Sequence, residues 1–157
     1  MENYSKIIST CCYIRNNGKI LFLHRAKKEG LNNKQFFRGL GGKAEQGESP
    51  IACIKREVRE EAGIEINPIW KGVVTFSNPS EKDWEAHIFT AEGFNGEMMI
   101  KSPEGELIWI DEIKVQNLEM PEGDKRLLPL LFKEGKFHAH AKYDDYKNLI
   151  DLKIDEI

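Results

Sequence analysis

The residues with the clearest chemical potential are three glutamates in one short segment, Glu57, Glu60 and Glu61. Their i, i+3, i+4 spacing places three carboxylates on one face of an α-helix, because successive helical residues are about 100° apart. Like charges at this spacing repel by a few tenths of a kcal/mol per pair. Lys55 and Arg59 flank the cluster, so an exposed helix face of mixed charge is one interpretation. The other interpretation is a binding site for a divalent cation. Carboxylates without histidine or thiolate partners suit Mg²⁺ or Mn²⁺ better than zinc.

The segment from Ser49 to Gly63 contains the signals of a helix that would position these acids. Ser49 is a plausible N-cap, Pro50 suits the first helical position, and Gly63 is a typical terminator. One apolar stripe is predicted from Ile51, Ile54, Val58 and Ala62. The acidic face would then border the core, where unpaired carboxylates are poorly hydrated. A bound metal ion would compensate for this loss of hydration.

The loop before this helix reads GGKAEQGE over residues 41–48. Its glycines would let the backbone approach a metal or a phosphate closely. Glu48 and Arg56 could pair across the junction between loop and helix and fix its shape.

The rest of the chain predicts one α+β domain over residues 1–157. Strands are expected at residues 7–14, 19–24, 66–76, 84–91, 106–110 and 137–143, and a second helix at 124–133. The first two strands would form a hairpin through Asn16-Asn17-Gly18. Residues 26–35 are polar and read as a loop, and 78–80 as a turn.

Composition excludes several classes of function. The formal charge of -3 gives no general attraction to nucleic acid polymers or anionic membranes. Cys11, Cys12 and Cys53 lack the spacing of a metal site and indicate free thiols in a reducing compartment, with Cys53 expected to be half-buried. No signal peptide or apolar run of about 18 residues is found, so we expect a cytoplasmic protein. Monomer and homodimer are both compatible with the sequence.

One run of residues resembles the Nudix box, G-x5-E-x7-R-E-U-x-E-E-x-G-U, in which U is bulky and aliphatic. The matching positions are Gly42, Glu48, Arg56, Glu57, Val58, Glu60, Glu61, Gly63 and Ile64. The resemblance implies an α/β/α sandwich with a mixed β-sheet that hydrolyses a nucleoside diphosphate linked to a further moiety. It implies that Glu57 and Glu61 bind the metal and that the carbonyl of Gly42 completes its shell. Glu60 would be a further ligand or the base for a metal-polarised water that attacks phosphorus in line. Glu48 and Arg56 would complete the catalytic set.

Segments outside the box are similar to the MutT-like subgroup that sanitises oxidised purine nucleotides, the 8-oxo-dGTP diphosphatases. They cover residues 23–25, 72–76, 83–84, 88–89, 104–109, 121–124, 130–132 and 136–138. Glu104 is similar to that group's fourth, outlying carboxylate, although Glu106 is also acidic. Arg25 and Lys43 match positions expected to face phosphate, and are otherwise ordinary surface cations.

The expected base pocket departs from that subgroup. Arg38 stands where animal members have an asparagine that reads the purine, and Glu122-Gly123 replaces an acidic pair. Glu122 could accept hydrogen bonds from a purine or cap a helix, and Phe37 could stack on the base or pack in the core. The predicted reaction is Mg²⁺-dependent hydrolysis of an oxidised purine nucleoside triphosphate such as 8-oxo-dGTP to monophosphate and pyrophosphate. Alternatives are a dinucleoside polyphosphate, ADP-sugar or capped RNA substrate, and a silent nucleotide sensor, against which the intact glutamates argue.

Overall fold

The computed structural model describes residues 6–24, 36–77, 82–146 and 148–157. The strands are β1 (Ile7–Asn16), β2 (Lys19–His24), β3 (Phe37–Arg38), β4 (Ile69–Ser77), β5 (Trp84–Glu92), β6 (Glu106–Asp111), β7 (Phe137–Tyr143) and β8 (Leu149–Glu156). The helices are α1 (Pro50–Ala62) and α2 (Glu122–Leu131), and a 3₁₀ helix spans Glu112–Asn117. The predicted loop at 26–35 and turn at 78–80 lie outside the described residues.

In the described part of the chain the strands form one mixed sheet in the order β3-β2-β1-β5-β4-β7-β8, with β6 on β2. The β1–β5 and β4–β7 pairs are parallel, whereas β1–β2, β4–β5 and β7–β8 are antiparallel. Asn17 and Gly18 close the β1–β2 hairpin with positive φ at both positions, as a tight primed turn requires. The predicted hairpin is therefore confirmed.

Two apolar cores lie on opposite faces of this sheet. Neighbouring strand residues alternate between them because side chains along a strand point to opposite sides. Cys12 packs with Val58 of α1 on one face, and Tyr13 packs with Leu128 of α2 on the other. The expected α+β architecture, a mixed sheet between helices, is confirmed.

The sequence was less accurate for some details. Ile51 is 48 % exposed rather than part of the buried stripe, because it lies in the first turn of α1. Cys53 takes a place on the buried face and is 0 % exposed, not half-buried. The strand predicted from residue 66 begins at Ile69, and α2 begins two residues before Asp124.

Candidate functional site

Local signals fix the position and the ends of α1. The Ser49 side chain accepts a hydrogen bond from the backbone N–H of Ala52, and Gly63 ends the helix with φ 74°. Both capping predictions are confirmed.

The glycine pair before α1 runs against β1 at very close range. An ideal Cβ on Gly41 would lie 2.0 Å from the carbonyl oxygen of Thr10, and one on Gly42 would lie 2.7 Å from the Glu57 carboxylate. The carbonyl oxygen of Gly42 accepts from Thr10 N at 2.9 Å and from Thr10 Oγ1 at 3.1 Å. At Gly41 the clash would be with backbone, so only glycine permits this approach of the loop to β1, whereas a side chain at Gly42 would displace the Glu57 carboxylate.

Arg56 ties the loop to the helix through four oxygen-bearing groups. Its Nε donates to Glu48 Oε2 at 2.8 Å, and its Nη1 donates to Glu57 at 2.9 Å and Glu60 at 3.1 Å. Its Nη2 donates to the carbonyl of Lys43 at 3.2 Å. The Arg56 guanidinium and the N–H of Glu45 together lower the pKa of Glu48 to about 2. The expected Glu48–Arg56 pair is present, and it orients two of the box carboxylates.

Glu61 is the most enclosed acid of the cluster. It is 4 % exposed, and the N–H of Gly41 donates to its Oε1 at 3.0 Å. Burial raises the pKa of Glu61 well above its usual range, with further increases from Glu57 and Glu104, while the Gly41 N–H opposes the shift. Negative charge is therefore concentrated where Glu57, Glu61 and Glu104 meet.

The structure does not bring every predicted ligand to this point. Glu60 points outward, with its side chain 58 % exposed and bound to Arg56. Among the described residues, no three acidic, histidine or cysteine side chains are already at metal-binding geometry. The carbonyl of Gly42 accepts two hydrogen bonds from Thr10, and metal coordination by this carbonyl stays a prediction.

A second group of polar residues lies on the α2 face of the sheet, in what we call the α2-side cleft: Cys11 and Tyr13 of β1, Arg38 of β3, Asp124 of α2 and Tyr143 of β7. The backbone passes directly over its floor, because an ideal Cβ on Gly39 would lie 2.7 Å from Cys11 Sγ and 3.2 Å from the Tyr13 ring.

Asp124 and Arg38 carry the charges of this cleft. Burial raises the pKa of Asp124 to about 6, and the nearby Arg38 guanidinium opposes that rise. Burial and the charge of Asp124 raise the pKa of Cys11 to about 12, with a smaller contribution from Glu61. Cys11 therefore lies within electrostatic range of both the carboxylate cluster and the acid of the cleft.

Comparison with known proteins settles the family. The model of the NUDIX domain matches residues 6–131, which include the carboxylate helix and every member of the α2-side cleft except Tyr143. The chain belongs to the Nudix family.

Individual relatives agree with this assignment. The chain is 33% identical over 152 residues to a Bacillus subtilis (strain 168) protein described as an uncharacterized Nudix hydrolase, YvcI, covering 93% of this chain and 92% of that one. It is 29% identical to the oxidized purine nucleoside triphosphate hydrolase of Danio rerio, covering 83% and 84% of the two chains. The crystal structure of a MutT protein from Bacillus halodurans superposes with a TM-score of 0.84 at 28% identity, covering 95% and 97%.

These similarities confirm a MutT-like Nudix hydrolase with the Nudix fold. Nudix hydrolases generally use divalent metal ions and act on small nucleotide substrates. In the described residues, no helix combines the length and the apolar character needed to cross a membrane.

The residues that were predicted to bind the substrate lie in different environments in this Nudix chain. Lys43 is exposed, with its ammonium 5.3 Å from the centre of the Trp84 ring. Phe37 stacks on His24, with ring centroids 4.2 Å apart, and packs against the core. These contacts agree with the expectation that Phe37 is a core residue. The side chain of Glu122 is 61 % exposed and lies 3.5 Å from Arg126. Arg25 lies outside the described residues.

Asp124 is the residue that sequence reasoning missed. It precedes the buried Leu127, Leu128 and Leu131 by three, four and seven positions, which places it on the same helix face. The signal in the sequence is an acidic residue within an apolar helical stripe, which indicates that its side chain faces the sheet. The resemblance favours Glu122 instead, which immediately follows Pro121.

Proposed function

We propose that this Nudix hydrolase is a Mg²⁺-dependent pyrophosphohydrolase of purine nucleoside triphosphates, oxidised forms such as 8-oxo-dGTP included. It would release a nucleoside monophosphate and pyrophosphate. The observation that carries the proposal is that Thr10 and Cys11 are neighbours on β1: Thr10 donates to the carbonyl of Gly42 in the loop before α1, and Cys11 packs on the opposite face, in the α2-side cleft. A nucleotide needs this arrangement, with a site for charged phosphates next to a cleft for its base.

The acidic residues fit a hard divalent cation. Glu57, Glu61 and Glu104 would hold Mg²⁺, or Mn²⁺, because they bring negative charges close together and hard cations prefer carboxylate oxygens. The carbonyl of Gly41 is a better candidate for the backbone ligand than that of Gly42, because it accepts no hydrogen bond from the described residues. When bound, the cation would neutralise the carboxylates and the charge that develops on the phosphates.

The remaining box residues would orient the reaction. Glu60 stands outside the carboxylate cluster, which favours the role of base for the attacking water over that of a ligand. Arg56 and Glu48 would act as positioning residues, since they hold Glu57, Glu60 and the loop in place.

Lys43, with Arg25, would face the phosphates. An exposed cation–π contact is worth only about 0.5–1 kcal/mol. A triphosphate would therefore displace the Lys43 ammonium from Trp84 at little cost.

A substrate panel tests this proposal. With Mg²⁺, 8-oxo-dGTP, dGTP and dATP should release monophosphate and pyrophosphate, identified by chromatography, and UDP-glucose and a dinucleoside polyphosphate should be poor substrates. Hydrolysis of only the sugar or dinucleotide would reject the purine triphosphate assignment while retaining Nudix chemistry. Absence of all turnover would favour a silent binding module.

A further inference from the structure

The strand β8 forms one edge of the sheet, and within the described part of the chain no strand lies on its outer side. It is eight residues long, whereas β3, at the other end of the strand order, has two. A long open edge is a template for pairing with another chain, and folded proteins usually shorten or cover it. The β8 edge is therefore the place where a further strand could join this sheet.

The hydrogen bonds between β7 and β8 show which backbone groups of β8 point outward. Lys136 and Ile157 exchange both N–H···O=C bonds, at 3.4 and 2.8 Å. Because bonded and non-bonded pairs alternate along an antiparallel ladder, the odd-numbered residues of 151–155 bond to β7, and Leu152 and Ile154 direct their backbone groups away from it. No described residue outside the sheet bonds to these outward groups. They are free to pair with a second chain.

The sequence of β8 is complementary to itself about Leu152. If two copies pair antiparallel with a two-fold axis at Leu152, Asp151 of each copy lies opposite Lys153 of the other. Ile150, which is 58 % exposed, lies opposite Ile154. The outward N–H and C=O groups of Leu152 in the two copies meet at the axis. Each charged residue then faces its opposite, and each apolar residue faces an apolar one.

Other two-fold registers lack this complementarity. An axis at Lys153 opposes two lysines at the centre, and an axis at Asp151 opposes two aspartates. An axis at Ile154 keeps acid–base pairing but places Leu152 opposite Glu156. An axis between two residues would set outward backbone groups against groups that already bond to β7. The pattern of β8 therefore favours the register centred on Leu152.

We propose that β8 is a dimerisation edge, at which two copies of this chain pair antiparallel about Leu152 and form one sheet that continues through both. Each copy uses its only β8 edge in this contact, so assembly closes at two. In the strand order, β5, β4 and β7 separate β1 from β8. The loop before α1, which lies against β1, is therefore remote from the contact, and the inference does not depend on the substrate.

The test is sedimentation velocity of the full chain and of charge-reversed variants. A single pair of strands makes a small interface, so we expect a reversible dimer with a dissociation constant on the order of 10 µM. Lys153→Asp opposes acid to acid at two symmetry-related positions, and Asp151→Lys opposes base to base. Each variant should raise the dissociation constant roughly ten- to a hundredfold. An equimolar mixture of the two variants should form a heterodimer, because the acidic edge of one meets the basic edge of the other.

The matched control is Lys114→Asp, which reverses a 70 % exposed charge in the 3₁₀ helix after β6 and should leave the dimer unchanged. Circular dichroism checks that each variant is folded. The inference is overturned if the wild type stays monomeric from about 1 to 100 µM, if it forms larger assemblies, or if the mixed variants do not associate.

Amide hydrogen exchange tests the same contact without a substitution. The N–H of Leu152 should exchange more slowly as the concentration of the wild type rises, because it becomes bonded in the dimer. A dimer in which this amide exchanges as fast as in the monomer would place the interface elsewhere and reject the role of β8.

Discussion

Replacing Asp124 by asparagine is expected to stabilise the folded protein at neutral and alkaline pH. The physical reason is that the ionised carboxylate is withdrawn from water without a hydrogen-bond donor among the residues that the structure describes. Its pKa rises from 3.8 to about 6, so the folded state binds a proton more tightly than the unfolded state. The protonated acid therefore stabilises the fold below about pH 4, and that contribution is lost as pH rises through 6.

The size of the effect follows from the two pKa values. At about 1.36 kcal/mol per pH unit, the interval between 3.8 and about 6 corresponds to about 3 kcal/mol at most, because the side chain keeps some contact with solvent. Roughly 2 kcal/mol of this falls between pH 4.5 and pH 8. For a chain of this length, that is a change of about 4–8 °C in Tm.

The assay is thermal unfolding of both proteins in EDTA from pH 4.5 to pH 8. The difference in Tm between variant and wild type isolates Asp124, because other titrating groups cancel. That difference should grow in favour of Asp124→Asn as pH rises. A difference that does not change with pH, or a variant less stable at pH 8, would refute the view of Asp124 as an unpartnered, partly buried acid.

Four further expectations concern the remaining site residues. Glu61→Gln should abolish turnover while circular dichroism shows an intact fold, and near-normal activity would remove the proposed mechanism. Mg²⁺ at about 100 times its Kd should stabilise the wild type by about 2.7 kcal/mol; a similar gain in Glu57→Gln would place the cation elsewhere. Thr10→Val removes the donor to the Gly42 carbonyl and should cost about 1 kcal/mol of stability, with kcat lowered more than KM; unchanged kcat would show that this bond does not position the loop. Glu122→Gln should leave the ratio of dGTP to dATP hydrolysis unchanged, and a tenfold shift would return Glu122 to the base pocket.

The carboxylate helix was predictable because its determinants are local. The cap at Ser49, the terminator at Gly63 and the spacing of the glutamates all lie within one segment. Hydrogen bonding by Gly42 was not predictable, because its partner is 32 residues away on β1. The sequence shows that a glycine permits close approach, but only the sheet register shows what it approaches.

The α2-side cleft was harder to predict for the same reason. Its members come from β1, β3, α2 and β7, and only the sheet order places them together. The sequence pattern predicts that the helix begins at Asp124, whereas α2 begins at Glu122 and turns Asp124 toward the sheet. Glu122 has the expected residue type but lies on the exposed side of the same turn.

Alternation along β1 explains how reaction and recognition can be separated in this fold. Thr10 points to the α1 face and holds the loop of the carboxylate cluster, while its neighbour Cys11 points to the cleft that contains Asp124. Under the proposed function, substitutions on the α2 face would therefore change the base that is read without altering the loop before α1. Arg38 is such a position, because the resemblance to the purine-sanitising subgroup implies an asparagine there, whereas the Nudix box matches throughout. It follows that the kcat/KM ratio between bases should respond to changes at Arg38 and Asp124, and that metal-dependent stabilisation should not.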